Sequence, residues 1–141
     1  MSELIQKQWS THSVYAAIVN KEMEIVTIGQ TTIHENNDPT AHAEVNAIRA
    51  ACKFLKTDIL PTAYWLYSTF EPCPLCSSAI IWSGLDGVVY ANDPRFRRTL
   101  PNWSFIKCKD VLKQGTDIHQ VNLIKNFMLD DIKRYFIRHQ K

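Results

Sequence analysis

Two cysteines three positions apart stand inside Glu71-Pro72-Cys73-Pro74-Leu75-Cys76, and His42-Ala43-Glu44 lies about thirty residues upstream. Thiolates are the softest ligands a protein offers to zinc, and neutral imidazole joins them readily. Cys73-x-x-Cys76 alone is ambiguous, because the same spacing after a strand also serves a thioredoxin-like redox pair. That reading leaves His42 and Glu44 without a task. Taken singly, His42 suits a helix cap or a core position, and Glu44 suits an ordinary first-turn carboxylate favoured by the helix dipole. Taken together, His42, Cys73 and Cys76 supply three protein ligands to one zinc ion and leave the fourth tetrahedral position to water. That is the arrangement of a catalytic site rather than a closed structural one.

Water at such an ion has its pKa lowered from 15.7 toward about 7. At 1.36 kcal/mol per unit, hydroxide becomes more accessible at neutral pH by roughly 12 kcal/mol. Two thiolates also cancel the charge of the ion, and a helix N-terminus at each cysteine would favour the thiolate form. Glu44 sits two residues from His42, which fits a place beside the metal rather than on it. A carboxylate so placed can take a proton from the water and hand it on. Cys52 and Cys108 are assigned to core or surface packing.

These side chains need a scaffold, and 141 residues suit one compact domain. A hydrophobic fraction of 45% and a charged fraction of 21% are those of an ordinary globular protein. A net charge of +2 is far from one that by itself demands nucleic acid. No signal peptide and no apolar stretch of membrane-spanning length is apparent, and four cysteines are too few for a disulfide scaffold. The reading is a reducing cytoplasm.

Ser13–Val19 and Glu24–Ile28 are β-branched, apolar runs that read as a hairpin whose strands are covered on both faces. Gln30–Thr40 is polar, with turn chemistry at Asn36-Asn37-Asp38-Pro39. Val45, Ile48, Ala51 or Cys52, and Leu55 recur at helical spacing, with Thr40 as the expected cap. Residues two apart face opposite sides of a helix, so His42 and Glu44 meet only at a site off its N-terminal end. Ala63–Ser68 reads as a central strand, Ser77–Trp82 as a short apolar helix and Val88–Ala91 as another buried strand. Asn92–Trp103 reads as an irregular functional loop, Ile118–Asn122 as a last strand, and Leu123 to Phe136 as an amphipathic C-terminal helix. The order β-β-α-β-α-β with long crossovers predicts an α/β fold, a mixed sheet sandwiched by helices with both ligand segments at one end of it.

Asn37-Asp38-Pro39-Thr40-Ala41-His42-Ala43-Glu44-Val45, followed by Ala47-Ile48-Arg49, resembles the purine branch of the cytidine deaminase superfamily, as does Glu71-Pro72-Cys73-Pro74-Leu75-Cys76. The likeness runs from about Ser13 to Ala91, and Ser104-Phe105-Ile106-Lys107 resembles a segment of guanine deaminases. The resemblance implies a three-layer α/β/α sandwich with about five strands, one zinc per chain, a homodimer, and hydrolytic loss of ammonia from a base. Residues 1–141 would form a single zinc-dependent deaminase domain. By position, Tyr15 would lie under the base, Ala43 would offer it a backbone N–H, and Trp82 would form a pocket wall; plain core packing is the alternative for Tyr15 and Trp82. Thr31 stands where the family places an asparagine, Glu3–Trp9 is the remnant of an N-terminal helix, and the catalytic aspartate of guanine deaminases has no counterpart around Pro101–Ser104, with Asn102 and Asp93 the nearest substitutes.

The leading expectation is therefore a zinc hydrolase acting on a purine base or nucleoside, guanine first, with Glu44 as proton shuttle. A tRNA adenosine deaminase is the alternative, with Arg95, Arg97, Arg98, Lys107 and Lys109, or Lys133, Arg134, Arg138 and Lys141, gripping phosphates. Asp110, Asp130 and Asp131 interrupt those runs and favour a solvated basic face instead. A cytosine or cytidine deaminase is a further alternative. A domain that keeps a structural zinc for binding alone is a third kind of reading, and it gives Glu44 nothing to do.

Overall fold

The computed structural model describes residues 1–91, 103–132 and 134. Helix α1 (Ser2–Thr11) precedes the hairpin β1 (Tyr15–Val19) and β2 (Ile25–Gln30). Asn20 closes the hairpin turn, its side-chain oxygen accepting the N–H groups of Glu22 and Glu24. A short turn of helix, α2 (Ile33–Asn36), lies in the polar connection, and α3 (Ala43–Leu55) follows. Then come β3 (Trp65–Ser68), α4 (Pro74–Trp82), β4 (Gly87–Tyr90), α5 (Cys108–Gln114) and β5 (Asn122–Ile124).

The five strands form one sheet in the order β2-β1-β3-β4-β5. β1 runs antiparallel to both neighbours, whereas β3, β4 and β5 are mutually parallel. Parallel neighbours need a crossover, and α4 and α5 lie in those two connections. Alternation along the strands divides the sheet into two faces. Ala16, Ile18, Leu66, Val88 and Tyr90 point into the principal core, which α3 fills with Ala43, Ala47, Ile48 and Ala51, and α4 with Ile80 and Ile81. Cys108 and Leu112 of α5 complete it. Tyr15, Ala17 and Tyr67 point the other way and meet Leu4 of α1. The layered, mixed-sheet architecture expected from the sequence is the one observed.

Gly29 lets α3 lie close on the sheet. A Cβ there would run into the backbone of α3 at Ala43 and Ala47. No larger residue at position 29 would let the start of α3 sit where it does.

Several boundaries differ from the sequence reading. β1 is buried throughout, but β2 is partly open because it forms the sheet edge. The cap of α3 is His42, not Thr40, whose N–H and hydroxyl are both taken by Asp38 at 2.8 and 2.6 Å. Helix α5 was not anticipated. The last strand starts at Asn122, and Ile118, 54% exposed, lies in the turn before it. Leu123 therefore belongs to β5, and helical geometry near the C-terminus starts only at residue 129, after Met128 in the left-handed region (φ 54°). Glu3–Trp9 is no remnant but most of a ten-residue helix. Asp93, Arg95, Arg97, Arg98, Asn102, Lys133, Tyr135, Phe136, Arg138 and Lys141 lie outside the described residues. Among the described residues no helix is long and apolar enough to cross a membrane.

Candidate active site

Both ligand-bearing segments sit where a helix begins. His42 precedes α3 in extended conformation (φ −72°, ψ 154°), and Cys73 precedes α4 likewise (φ −66°, ψ 171°). Pro74 takes the first helical position of α4, where its missing N–H is no loss. Cys76 then lies one turn on, which brings its sulfur back beside that of Cys73. The extended backbone at His42 also answers the facing problem: residue 42 is not yet helical, so it and Glu44 reach the same side.

The three candidate ligands converge. The sulfurs of Cys73 and Cys76 are 3.6 Å apart, and His42 Nδ1 is 3.6 Å from the first and 3.5 Å from the second. A disulfide is excluded at that separation. A tetrahedron with metal–sulfur bonds of about 2.3 Å and metal–nitrogen bonds of about 2.0–2.1 Å has edges of roughly 3.8 Å between sulfurs and 3.5–3.6 Å between sulfur and nitrogen. The observed separations match these edges to within about 0.2 Å. Two soft sulfurs and one imidazole at this spacing fit a zinc ion, and they are the group among the described residues whose donor atoms gather closely enough to hold one.

Glu44 is 4% exposed. Its Oε1 accepts a hydrogen bond from the Ser68 hydroxyl at 2.7 Å, and its Oε2 lies 3.3 Å from the Cys76 sulfur. Burial raises the Glu44 carboxyl above its ordinary pKa. A proton shared between the sulfurs divides the cysteines: the hydrogen bond from Cys76, helped by His42, lowers Cys73 to about 4, while the same bond and burial push Cys76 up. The Cys73 sulfur in turn raises His42, against burial. Burial pushes Cys108 up to about 12, consistent with a packing thiol.

A cavity of about 250 Å³ opens over this cluster. Val14, Thr31, Ile33, His42, Glu44, Phe70, Glu71, Cys73 and Trp103 line it. The walls are mostly apolar.

The sequence profile of the cytidine and deoxycytidylate deaminase zinc-binding region matches residues 2–92. The chain belongs to this family. Guanine deaminase of Bacillus subtilis (strain 168) is 46% identical over 77 residues, 55% of this chain and 49% of that protein. The tRNA-specific adenosine deaminase of Aquifex aeolicus is 43% identical over 75 residues, 53% of this chain and 49% of that protein. The chain thus spans about half the length of the curated relatives it matches. The solved guanine deaminase of Nitrosomonas europaea superposes with a TM-score of 0.81 over 96% of this chain and 78% of that one, at 19% identity, a likeness of fold.

This member of the cytidine and deoxycytidylate deaminase family distributes its other expected site residues unevenly. Thr31 lines the cavity. Ala43 opens α3 with its methyl in the core, and as the first helical residue it has no acceptor for its N–H within the helix. Tyr15 does not line the cavity: strand alternation turns it to the α1 face, where it packs with Leu4 and its hydroxyl accepts from Thr11. Its neighbour Val14 lines the cavity instead. Trp82 is not a wall either, being 66% exposed at the far end of α4. Ile33, Phe70, Glu71 and Trp103 were missed as cavity residues. Phe70 and Glu71 carried a signal, an aromatic and a charge placed directly before Pro72-Cys73, but nothing in the period of the chain points to Ile33 or Trp103.

Proposed function

We propose that this chain is a zinc-dependent hydrolase that replaces the exocyclic amine of a purine base or nucleoside with oxygen, with guanine the first substrate. The observation that carries the reading is the tetrahedral spacing of His42, Cys73 and Cys76 with the buried Glu44 carboxylate beside it. Zinc held there supplies Lewis acidity and brings the pKa of its water near neutrality. Glu44 takes a proton from the attacking water and delivers protons to a ring nitrogen and to the departing amine. A C–O bond forms, the C–N bond breaks and ammonia leaves. Ser68 holds one Glu44 oxygen, which leaves the other to carry the proton. Phe70 and Trp103, edge to face with centroids 5.4 Å apart, supply an aromatic wall for a flat ring, and Thr31 adds a hydroxyl that both donates and accepts. A cavity of about 250 Å³ suits a single base better than a larger ligand.

A second reading, adenosine-to-inosine editing of tRNA, is supported by the comparable identity to the Aquifex aeolicus protein. Ammonia release from guanine, guanosine, adenine, adenosine, cytosine, cytidine and an anticodon stem-loop separates the two. Guanine should exceed the others. Faster release from the RNA than from any free base transfers the reading to the second, and silence across the panel removes both.

One domain spanning residues 1–141, working as a homodimer in the cytoplasm, belongs to the same reading. Leu75 and Trp82, seven residues apart on one face of α4 and 43% and 66% exposed, form an apolar stripe suited to a second copy, and the four cysteines are free thiols, as in a reducing compartment. Sedimentation should give a dimer that Trp82→Glu dissociates; a monomeric parent protein refutes it.

A further inference from the structure

Glu71 sits inside the motif that carries Cys73, yet nothing in the proton transfers above uses it. It is 2% exposed. Its Oε1 accepts the backbone N–H of Cys108 at 2.9 Å, and its Oε2 lies 3.6 Å from the Lys107 ammonium. Its backbone carbonyl accepts the Ser104 hydroxyl at 3.3 Å. One residue earlier, the Phe70 ring meets Trp103 edge to face. Residues 103–108 are thus tied to residues 70–71 at four points: ring on ring, hydroxyl on carbonyl, ammonium on carboxylate, and amide on carboxylate.

We propose that Glu71 is a positioning residue that straps the segment 103–108 across the cavity, so that Trp103 is held as the wall under which the substrate ring stacks. The physical grounds are the cost of what is spent there. Burying a carboxylate is costly unless charged or hydrogen-bonding partners offset it, and the Cys108 N–H and the Lys107 ammonium, both on the strap, are such partners. The strap packs inward at its two ends, Trp103 against Phe70 and the Cys73–Cys76 cluster and Cys108 in the principal core, while between them Phe105 (75%) and Ile106 (49%) are exposed. Over that exposed middle, the bonds to Glu71 fix the course of the chain between the two packed ends. Loosening them should free Trp103 from the cavity without touching Glu44, His42 or the cysteines, and the loss should fall on substrate affinity rather than on turnover.

The kinetic part of this inference rests on the deaminase reading, whereas the structural part does not. Glu71→Gln keeps an acceptor for Cys108 and loses the charge that Lys107 meets. Ser104→Ala removes one anchor and leaves no buried charge behind. Hydrogen exchange on the zinc-loaded protein should show the amides of residues 104–108 exchanging at least tenfold faster in both variants, with zinc content unchanged. With guanine as the probe, KM should rise about tenfold and kcat should stay within threefold. Unchanged exchange in both variants overturns the strap, whatever the activity. Faster exchange with a fall in kcat and an unchanged KM overturns the assignment to positioning. If the parent protein releases no ammonia from guanine, the deaminase substrate has failed, and the exchange of residues 104–108 still decides the strap.

Discussion

Glu44→Gln isolates proton transfer from every other property of the site. The replacement has the same shape, and the amide oxygen can still accept from the Ser68 hydroxyl now 2.7 Å from Oε1. The amide nitrogen then faces the Cys76 sulfur, 3.3 Å from Oε2, and can donate to a thiolate. A hydrogen bond to a charged group, worth about 1.5–3 kcal/mol, becomes a neutral one worth about 0.5–1.5 kcal/mol. Relief of the buried charge offsets that loss, so stability should move by no more than about 1 kcal/mol, a Tm shift of roughly 2–5 °C. Catalysis should fall much further. A positioned acid or base contributes about 10²–10⁴-fold per transfer, and Glu44 is assigned more than one transfer, so kcat should drop at least about 10³-fold, some 4 kcal/mol of barrier. The assay is ammonia release beside zinc analysis and thermal unfolding on the same preparation. Ser68→Ala removes the hydroxyl that donates to Glu44 and accepts the Phe70 N–H, and the loss of its bond to Glu44 should cost about tenfold in kcat. If Glu44→Gln keeps more than a tenth of the parent kcat with zinc bound, Glu44 carries no essential proton. If zinc is lost with activity, Glu44 holds the ion instead.

Three further outcomes follow from the same geometry. Glu44 must be ionised to accept a proton and burial raises its pKa, so kcat/KM should fall as pH drops through a value above the ordinary carboxylate figure of about 4.3; an acid limb below that figure contradicts the assignment. After chelation, iodoacetamide at pH 6 should label Cys73, lowered to about 4, well ahead of Cys76 and of Cys108 at about 12, and equal labelling on peptide mapping speaks against the shared-proton pair. Gly29→Ala drives a methyl into the α3 backbone at Ala43 and Ala47, which should cost about 1–3 kcal/mol and weaken zinc binding by displacing His42; an unchanged Tm would show the approach to be loose.

The parts legible in the sequence are those where one physical rule dominates. The ligand set was readable because two sulfurs three apart and a distant imidazole have few other joint uses. The hairpin was readable because two β-branched, apolar runs flank a polar turn, and α3 because burial of one side imposes a helical period on it. Other parts depend on competition between neighbours. Thr40 has the chemistry of a helix cap, but Asp38 takes both its N–H and its hydroxyl, leaving the extended His42 to begin the helix. β5 has three residues at a sheet edge with only Leu123 partly covered, too little burial to mark it. α5 buries Cys108 and Leu112 and half-buries Val111, so its apolar signal spans little more than one turn. Position in the family pattern puts Tyr15 under the base with core packing as the alternative, and the strand register decides for packing: Tyr15 faces α1 and Val14 lines the cavity.

The tetrahedral cluster joins Cys73 to His42 across 31 positions of chain, and the enclosed stretch holds all of α3 and β3. A cross-link of that span, by the chain-entropy relation used for disulfides, is worth roughly 3–4 kcal/mol. That is a large share of the about 5–15 kcal/mol that separates a folded domain from its unfolded chain. The ion is then a clasp as well as a reagent. A cell starved of zinc would hold a polypeptide that unfolds more often, and its abundance would follow the metal supply.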